Sequence, residues 1–151
     1  MDGDVEGGHE DGVAPESRQS PASPQVPSST EKGRWGEALV ARHLHDRGWT
    51  ILDRNWRAGP VELDLVVRKG RILAFVEVKT RFGAGFGHPL EAVTPRKRKE
   101  VERVARAWLR ARGSGELRGG VLRFDAVSVE VGPRGAPRIR HFPDAWRIGD
   151  G

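Results

Sequence analysis

The sequence contains no cysteine among its 151 residues. The chain therefore has neither disulfides to stabilise a small fold nor a thiolate for nucleophilic or metal-binding chemistry. It also lacks a hydrophobic run long enough to cross a membrane. Its N-terminus shows no basic segment followed by an apolar one, so we expect no secretory signal. No segment repeats another. These absences favour a soluble, cytoplasmic protein with one hydrophobic core.

Charge is distributed unevenly along the chain. The formal net charge is +5, but residues 1–28 carry −5 and the rest of the chain carries +10. Residues 1–28 are rich in Gly, Pro, Ser and acids and cannot bury enough apolar area to offset their ordering entropy, which predicts an acidic disordered tail. Residues 29–151 would form one basic domain. A basic domain favours nucleic acid as a partner, although a charge balance tuned for solubility is equally compatible.

The stretch from residue 61 to residue 81 predicts a β-hairpin, because two apolar, β-branched runs flank a Lys69-Gly70 turn. Side chains alternate between the two faces of a strand, so parity sorts the residues by face. One face of this hairpin is wholly apolar and must pack on the core. The other face carries Glu62, Asp64, Phe75, Glu77 and Lys79.

Three carboxylates and one ammonium on a single sheet face suggest a metal site. With Lys69 and Gly70 as the loop, Asp64 would lie opposite Phe75 and Glu62 opposite Glu77, and close carboxylates resist ionising together. A divalent cation removes this conflict, since Mg²⁺ is bound by one or two carboxylates, water and a substrate phosphate. Lys79 would point to the same side, toward a phosphate or a water nucleophile. The alternative is a solvated outer face whose charges share no role.

A first helix is predicted over residues 30–47, with Ser28 in a capping box and Gly48 as a natural stop. Glu37 falls in one of its apolar rows. A carboxylate placed there is costly unless it is paired or coordinated. Two interpretations stay open: Glu37 approaches the metal group, or it is a first-turn acid that pairs with a nearby arginine.

A second helix is predicted to begin at Thr94-Pro95, with Thr as the N-cap and Pro in the first position. Lys97 lies one turn before the core residue Val101 and would point toward the acids. The outer face carries a basic stripe, formed by Arg96, Lys99, Arg103, Arg106 and Arg110. The stripe contains no acid, which favours contact with nucleic acid over a merely solvated face.

The remaining segments complete an α/β pattern. Residues 49–56 and 121–131 predict strands, and residues 138–146 predict a last strand or an irregular segment. Residues 80–94 are rich in glycine and predict a loop beside the acids, in which Arg81 would contact a phosphodiester backbone. The order helix-strand-strand-strand-helix-strand indicates a mixed sheet between flanking helices.

The spacing of Asp64, Glu77 and Lys79 resembles the Asp…Glu-x-Lys core of restriction-endonuclease-like nucleases. More closely, about residues 33–130 resemble the uncharacterised YraN-type family of bacterial endonuclease-like proteins. The matching pieces are Gly36-Glu37, Arg54-Asn55, Glu62-Leu63-Asp64-Leu65, Phe75-Val76-Glu77-Val78-Lys79-Thr80-Arg81, Lys97 and Arg123-Phe124-Asp125. The seven-residue string from Phe75 is specific, whereas the three-residue pattern alone is weak. Val61 departs from the family, which usually has Gly at that point.

The resemblance implies a restriction-endonuclease-like fold and metal-dependent hydrolysis of phosphodiester bonds. Asp64 and Glu77 would bind Mg²⁺ or Mn²⁺, and Lys79 would aid water activation or charge stabilisation. Related archaeal Holliday-junction resolvases also place a glutamate on the first helix, which adds Glu37 to the expected catalytic residues.

The resemblance also implies DNA as the partner, contacted by Arg81, Lys97 and the basic stripe. Branched DNA and repair intermediates are candidate substrates, and cleavage of a junction would favour a homodimer. The alternative is a module that keeps this fold and binds nucleic acid without cutting it.

Overall fold

The computed structural model describes residues 26–117 and 119–149. Within them the long elements are α1 (Ser29–Asp46), β1 (Thr50–Ala58), β2 (Val61–Lys69), β3 (Ile72–Phe82), α2 (Pro95–Trp108), β4 (Val121–Val131) and β5 (Arg138–Trp146). The predicted order of elements is confirmed, and residues 138–146 form a strand. The predicted tail lies outside the described residues except for positions 26–28. No helix in the described ranges is both long and apolar enough to cross a membrane.

The five strands form one mixed sheet in the order β1-β2-β3-β4-β5. Neighbouring strands are antiparallel except for β3 and β4, which are parallel and joined by the crossover through α2. The apolar side of α1 packs on one face of the sheet, and that of α2 packs on the other. The sheet therefore lies between helices, as the order of elements predicted.

Both helices begin where the sequence predicted. The Ser28 hydroxyl accepts a hydrogen bond from the Glu31 backbone N–H at 3.2 Å, and the Thr94 hydroxyl accepts one from the Lys97 N–H at 3.2 Å. These side chains satisfy backbone donors that have no partner within the helix. After α1, Gly48 has a φ of +90°, a conformation that favours glycine.

The β2–β3 turn lies one position later than predicted, which shifts the pairing of the two strands by two residues. Gly70 and Arg71 form the loop, while Lys69 continues β2 and pairs with Ile72. The Lys69 ammonium also donates to the Arg47 carbonyl at 2.8 Å, which holds this end of the strand against the end of α1.

A shift of two keeps the alternation of side chains, so Leu65 and Val67 stay on the face of Val76, against α1. Val61 and Leu63 instead pack with Phe75 on the side of α2, so the prediction of one wholly apolar face was wrong at the start of β2.

The new register changes which residues face each other. Phe75 pairs with Val66 rather than with Asp64, and the β2–β3 ladder ends at the Leu65–Val76 pair. Beyond this pair β2 remains bonded to β1 alone, and β3 remains bonded to β4. The two hairpin strands therefore part at Asp64.

Strand β3 is longer than expected, because β4 supplies a parallel partner as far as the Phe82–Val131 pair. Thr80 and Arg81 consequently lie in a strand, and the prediction of a loop from residue 80 was wrong. Irregular structure begins at Gly83 and includes a short 3-10 turn at Pro89–Ala92.

Candidate metal and nucleic-acid site

The acidic group lies where β2 and β3 part. The Asp64 Oδ2 atom accepts a hydrogen bond from the Val78 backbone N–H at 2.8 Å. This bond takes the place of a ladder bond and directs the carboxylate toward β3. Asp64 and Glu77 are close enough across the gap that each carboxyl group influences the pKa of the other. The two acids that the sequence proposed as metal ligands are thus brought together.

A second set of carboxylates converges on the same place from α1 and β2. Oxygen atoms of Glu37, Glu62 and Asp64 all lie within 4.8 Å of one another. The Asn55 side-chain amide donates to Glu37 at 2.5 Å and to Glu62 at 2.9 Å, which fixes their spacing. This group of oxygens could hold a metal ion, because hard divalent cations prefer carboxylate ligands.

Glu37 reaches the site because α1 packs unusually close to β3. A Cβ atom at Gly36 would lie 1.8 Å from the Thr80 hydroxyl oxygen, so only glycine permits this approach. The neighbouring residue, Glu37, therefore lies close to the point where β2 and β3 separate. Its side chain is 16% exposed.

Two arginines compensate part of the negative charge. Arg34 lies 2.7 Å from Glu62 and 3.1 Å from Glu37, and Arg57 lies 3.0 Å from Glu62. The hydrogen bond from Arg34 is the main cause that lowers the pKa of Glu62. Glu37 therefore satisfies both interpretations that the sequence left open, since it pairs with an arginine and also lies in the acidic group.

Asp64 and Glu77 have less positive charge beside them than Glu37 and Glu62 have. Burial, followed by the neighbouring Glu77 charge, raises the pKa of Asp64 well above its usual range. Burial also raises the pKa of Glu77, although Lys97 opposes this effect from 3.4 Å. One Glu77 oxygen, Oε2, is buried without a hydrogen-bond partner. A cation placed between these two carboxylates would supply the missing partner.

Lys97 comes from the first turn of α2 and completes the site from the other side of the sheet. The negative charges of Glu77 and Asp64 outweigh the opposing effect of burial and raise the pKa of Lys97. Its ammonium group is therefore charged beside the acids. The prediction that Lys97 points toward the acids is confirmed.

Lys79 is not among the described residues that line the cavity of Glu37, Asp64 and Lys97. It is exposed on β3, two residues beyond Glu77. It lines a neighbouring cavity together with Ser29, Lys32 and Gly33. Gly33 also lines the cavity that contains Glu37, Asp64 and Lys97, so the two cavities adjoin along α1.

The basic stripe is exposed along its whole length. Arg96 pairs with Glu100 at 3.6 Å, and Arg110 lies past the end of α2 in the π-helical turn Leu109–Gly113. Arg81 differs from the stripe, because its side chain is only 17% exposed and lies 4.0 Å from Glu130. Arg81 is therefore held within the sheet rather than displayed on a loop.

Sequence reasoning counted Glu62 among the three carboxylates of the suggested metal site without naming it as a ligand, and it assigned no site role to Asn55, Arg34 or Arg57. Glu62 carried a usable signal, since parity put it on the face of Asp64. Asn55 carried a weaker signal, because asparagine tolerates a positive φ better than most residues do. In the structure its φ is +50°. Arg34 carried a signal for one of its partners, since it lies three residues before Glu37 on α1. Arg57 had none, because it faces Glu62 only through the pairing of β1 with β2.

A separate polar cluster connects β4 to β5. The Asp125 carboxylate is fully buried and accepts two bonds from Arg123, at 2.8 and 2.9 Å. It is also 2.7 Å from His141 and accepts the Asp144 N–H at 3.0 Å. Burial opposes ionisation, but these partners outweigh it and lower the pKa of Asp125. Its bonds are all satisfied locally, which indicates a structural role.

Comparison with known proteins identifies relatives across most of the chain. The uncharacterised protein family UPF0102 matches residues 36–129. A UPF0102 protein of Streptomyces coelicolor is 48% identical over 110 residues, which are 72% of this chain and 83% of that protein. One of Rhodococcus jostii is 45% identical over 114 residues, covering 76% and 94%. One of Geobacter sulfurreducens is 41% identical over 113 residues, covering 75% and 86%.

Proposed function

Since this chain belongs to the uncharacterised protein family UPF0102, we propose that it is a metal-dependent endonuclease that hydrolyses phosphodiester bonds in DNA. The proposal includes a restriction-endonuclease-like fold for the mixed sheet and its flanking helices. It extends the resemblance to YraN-type proteins, which membership of this family bears out.

The convergence of carboxylates where β2 and β3 part is the observation that carries the proposal. Oxygens of Glu37, Glu62 and Asp64 lie within 4.8 Å of one another, and Glu77 adds a buried oxygen without a partner. All of these donors are hard oxygens, which suit Mg²⁺ or Mn²⁺. Such a concentration of partly buried negative charge is costly to the fold and is explained by a bound cation.

Asp64 and Glu77 are the residues that would hold the cation, because their charges lack a full counter-charge. Glu62 is already bound by Arg34 and Arg57, so it serves to orient the group. Glu37 lies beside Asp64 and would complete the oxygen set. A bound divalent cation would lower the pKa of a coordinated water and neutralise charge on the phosphate.

The lysines on either side would act on the substrate. Lys79 is exposed in the cavity that adjoins the acidic site, where its flexible ammonium group would reach a phosphate of the scissile strand. Lys97 would keep the charge of Glu77 balanced before a substrate binds. The basic stripe on α2 would hold the flanking DNA by its backbone phosphates.

The proposal is tested by single-turnover cleavage of branched, flap, single-stranded and duplex DNA, with Mg²⁺ or Mn²⁺ and with chelator. We expect cleavage that requires metal and that Asp64→Asn reduces by about 10²-fold or more, the usual cost of losing transition-state stabilisation. Lys79→Ala should bind DNA normally and turn over poorly.

Glu100→Gln is the matched control, because Glu100 lines the same cavity but pairs outward with Arg96. It removes one negative charge without touching the acidic group and should cleave like the wild type. A pure protein that binds DNA but cuts none of these substrates with either metal would favour the non-catalytic binding module. Equal cleavage by Asp64→Asn would place the chemistry elsewhere.

A further inference from the structure

The N-terminal half of α1 displays an aromatic pair that the core does not use. Trp35 on α1 is 42% exposed, and Phe82 at the end of β3 is 43% exposed. The two ring centroids are 5.7 Å apart, with an angle of 43° between the planes. Two large aromatic faces are thus open to solvent side by side.

Positive charge surrounds these rings. The Lys32 ammonium lies 5.0 Å from the centroid of Phe82. Lys79 and Lys32 also line the adjoining cavity, which ends at Phe82. Among the described residues that line the apolar cavity of Trp35 and Phe82, Glu31 is the single acid. The surface therefore combines open aromatic rings with ammonium groups, a combination that suits a nucleobase and its phosphate.

This aromatic surface is continuous with the candidate metal site. Gly33 lines both the cavity of Lys79 and the cavity of Asp64. A Cβ atom at Gly33 would meet nothing within 4 Å, so the passage along this side of α1 is open. A polynucleotide strand could follow α1 from the acids past Lys79 to Trp35.

We propose that Trp35 and Phe82 form a stacking platform for an unpaired base of a nucleic-acid strand whose phosphate enters the acidic site. The inference rests on the proposed function and narrows its substrate class to DNA with a single-stranded segment next to the scissile phosphate. A base inside a duplex presents no free face for stacking, so the platform discriminates by strand structure rather than by sequence.

The test measures equilibrium binding by the full chain in chelator, where cleavage does not interfere. The probes are a single strand, a duplex, and a duplex with a single-stranded overhang, each labelled with the fluorescent base 2-aminopurine. Trp35→Ala should weaken binding of the single strand and the overhang roughly five- to tenfold, the lower part of the range for losing one stacked base. Affinity for the plain duplex should change less than twofold.

Three further variants test whether the aromatic rings account for the loss of affinity. Phe82→Ala should repeat the loss, and Trp35→Phe should retain most of the affinity because it keeps an aromatic face. Ile148→Ala is the matched control, since Ile148 is also an exposed hydrophobic residue, 50% exposed, at the other end of the chain. Stacking should quench 2-aminopurine in the wild type and in Ile148→Ala, and this quenching should be lost in Trp35→Ala.

Two results would overturn the inference. If Trp35→Ala weakens the binding of single-stranded and duplex DNA equally, the rings do not select for unpaired bases. A wild-type protein that sediments as a dimer while Trp35→Ala sediments as a monomer would assign the rings to contact with a second copy. The binding measurement stands apart from cleavage: a chain that stacks bases but never cuts would fail only the proposed function.

Discussion

At the scale of single residues, Asp64 makes the strongest link between stability and function. Its pKa is raised, so above the pKa of the unfolded state the folded chain binds more protons than the unfolded chain does. Stability contributed by this group is therefore complete in acid and falls as the pH rises from about 4. A residue that functions only when ionised weakens the metal-free fold at neutral pH.

Asp64→Asn should accordingly stabilise the metal-free protein. The Asn oxygen can still accept from the Val78 N–H, and its amide can donate to Glu77, so the geometry survives without the charge. We expect a gain of roughly 1–2 kcal/mol in the free energy of unfolding at pH 8, shrinking toward pH 4. Urea denaturation in chelator at both pH values checks this, and equal stability at pH 8 would contradict it. Excess Mg²⁺ should stabilise the wild type more than Asp64→Asn.

The residues that the sequence could and could not assign differ in how local their roles are. Asp64, Glu77 and Lys97 could be placed from strand parity and helix spacing, because both follow from the backbone. Asn55 could not, since its bonds to Glu37 and Glu62 depend on a positive φ and on where α1 docks. Contacts between elements distant in sequence leave no periodic signal.

At the scale of elements, the β2–β3 hairpin shows how far side-chain alternation predicts which side of the sheet a residue faces when the predicted pairing is wrong. The sequence predicted Lys69-Gly70 as the loop, but β2 extends through Lys69, which pairs with Ile72, and Gly70-Arg71 forms the loop. Turn chemistry did not decide between the two loops, since both contain Gly70, whose φ is +58°. Side-chain alternation has a period of two, so a shift of two preserved the faces of the residues from Leu65 to Val76. Leu63 packs on the face opposite to Leu65, at the point where β2 leaves β3.

The approach of α1 to β3 should depend on Gly36 more than on any hydrophobic contact nearby. Gly36→Ala would put a methyl group against Thr80, and overpacking of this kind costs roughly 1–3 kcal/mol of stability. It should also displace Glu37 and weaken metal binding. Gly33→Ala on the same helix is the matched control, because the added methyl group meets nothing.

Thermal unfolding of both variants separates packing from helix propensity. Gly33→Ala should be neutral or more stable by up to about 1 kcal/mol, since alanine favours the helix. A Gly36→Ala protein as stable as Gly33→Ala would mean that α1 does not need this close approach.

The exposed stripe of α2 should contribute binding rather than chemistry. Each phosphate contact releases condensed counterions, so Arg103→Ala with Arg106→Ala should reduce the dependence of log affinity on log salt by about one to two units. Cleavage at saturating DNA should change little. Arg134→Ala with Arg138→Ala removes the same charge from exposed positions around the β4–β5 turn and is the control. A salt dependence unchanged by the α2 variant would place the DNA on another surface.

At the scale of the whole molecule, the site forms because β2 and β3 separate while each stays paired with its other neighbouring strand. After the Leu65–Val76 pair, β1 holds β2 and β4 holds β3, so the sheet opens between them. The helices on the two faces then reach the opening from opposite sides, α1 with Glu37 and α2 with Lys97. The sequence predicted the elements and their order, but this opening depends on the pairing of all four strands.

The central claim is that the acids at this opening bind a divalent cation, and titration of Mn²⁺ followed by electron paramagnetic resonance tests it most directly. The wild type and the Glu100→Gln control should show saturable binding of equal affinity. Asp64→Asn should bind Mn²⁺ about tenfold more weakly or worse, as even the loss of an outer-shell partner typically costs that much. Equal Mn²⁺ affinity in the wild type and in folded Asp64→Asn would contradict the claim.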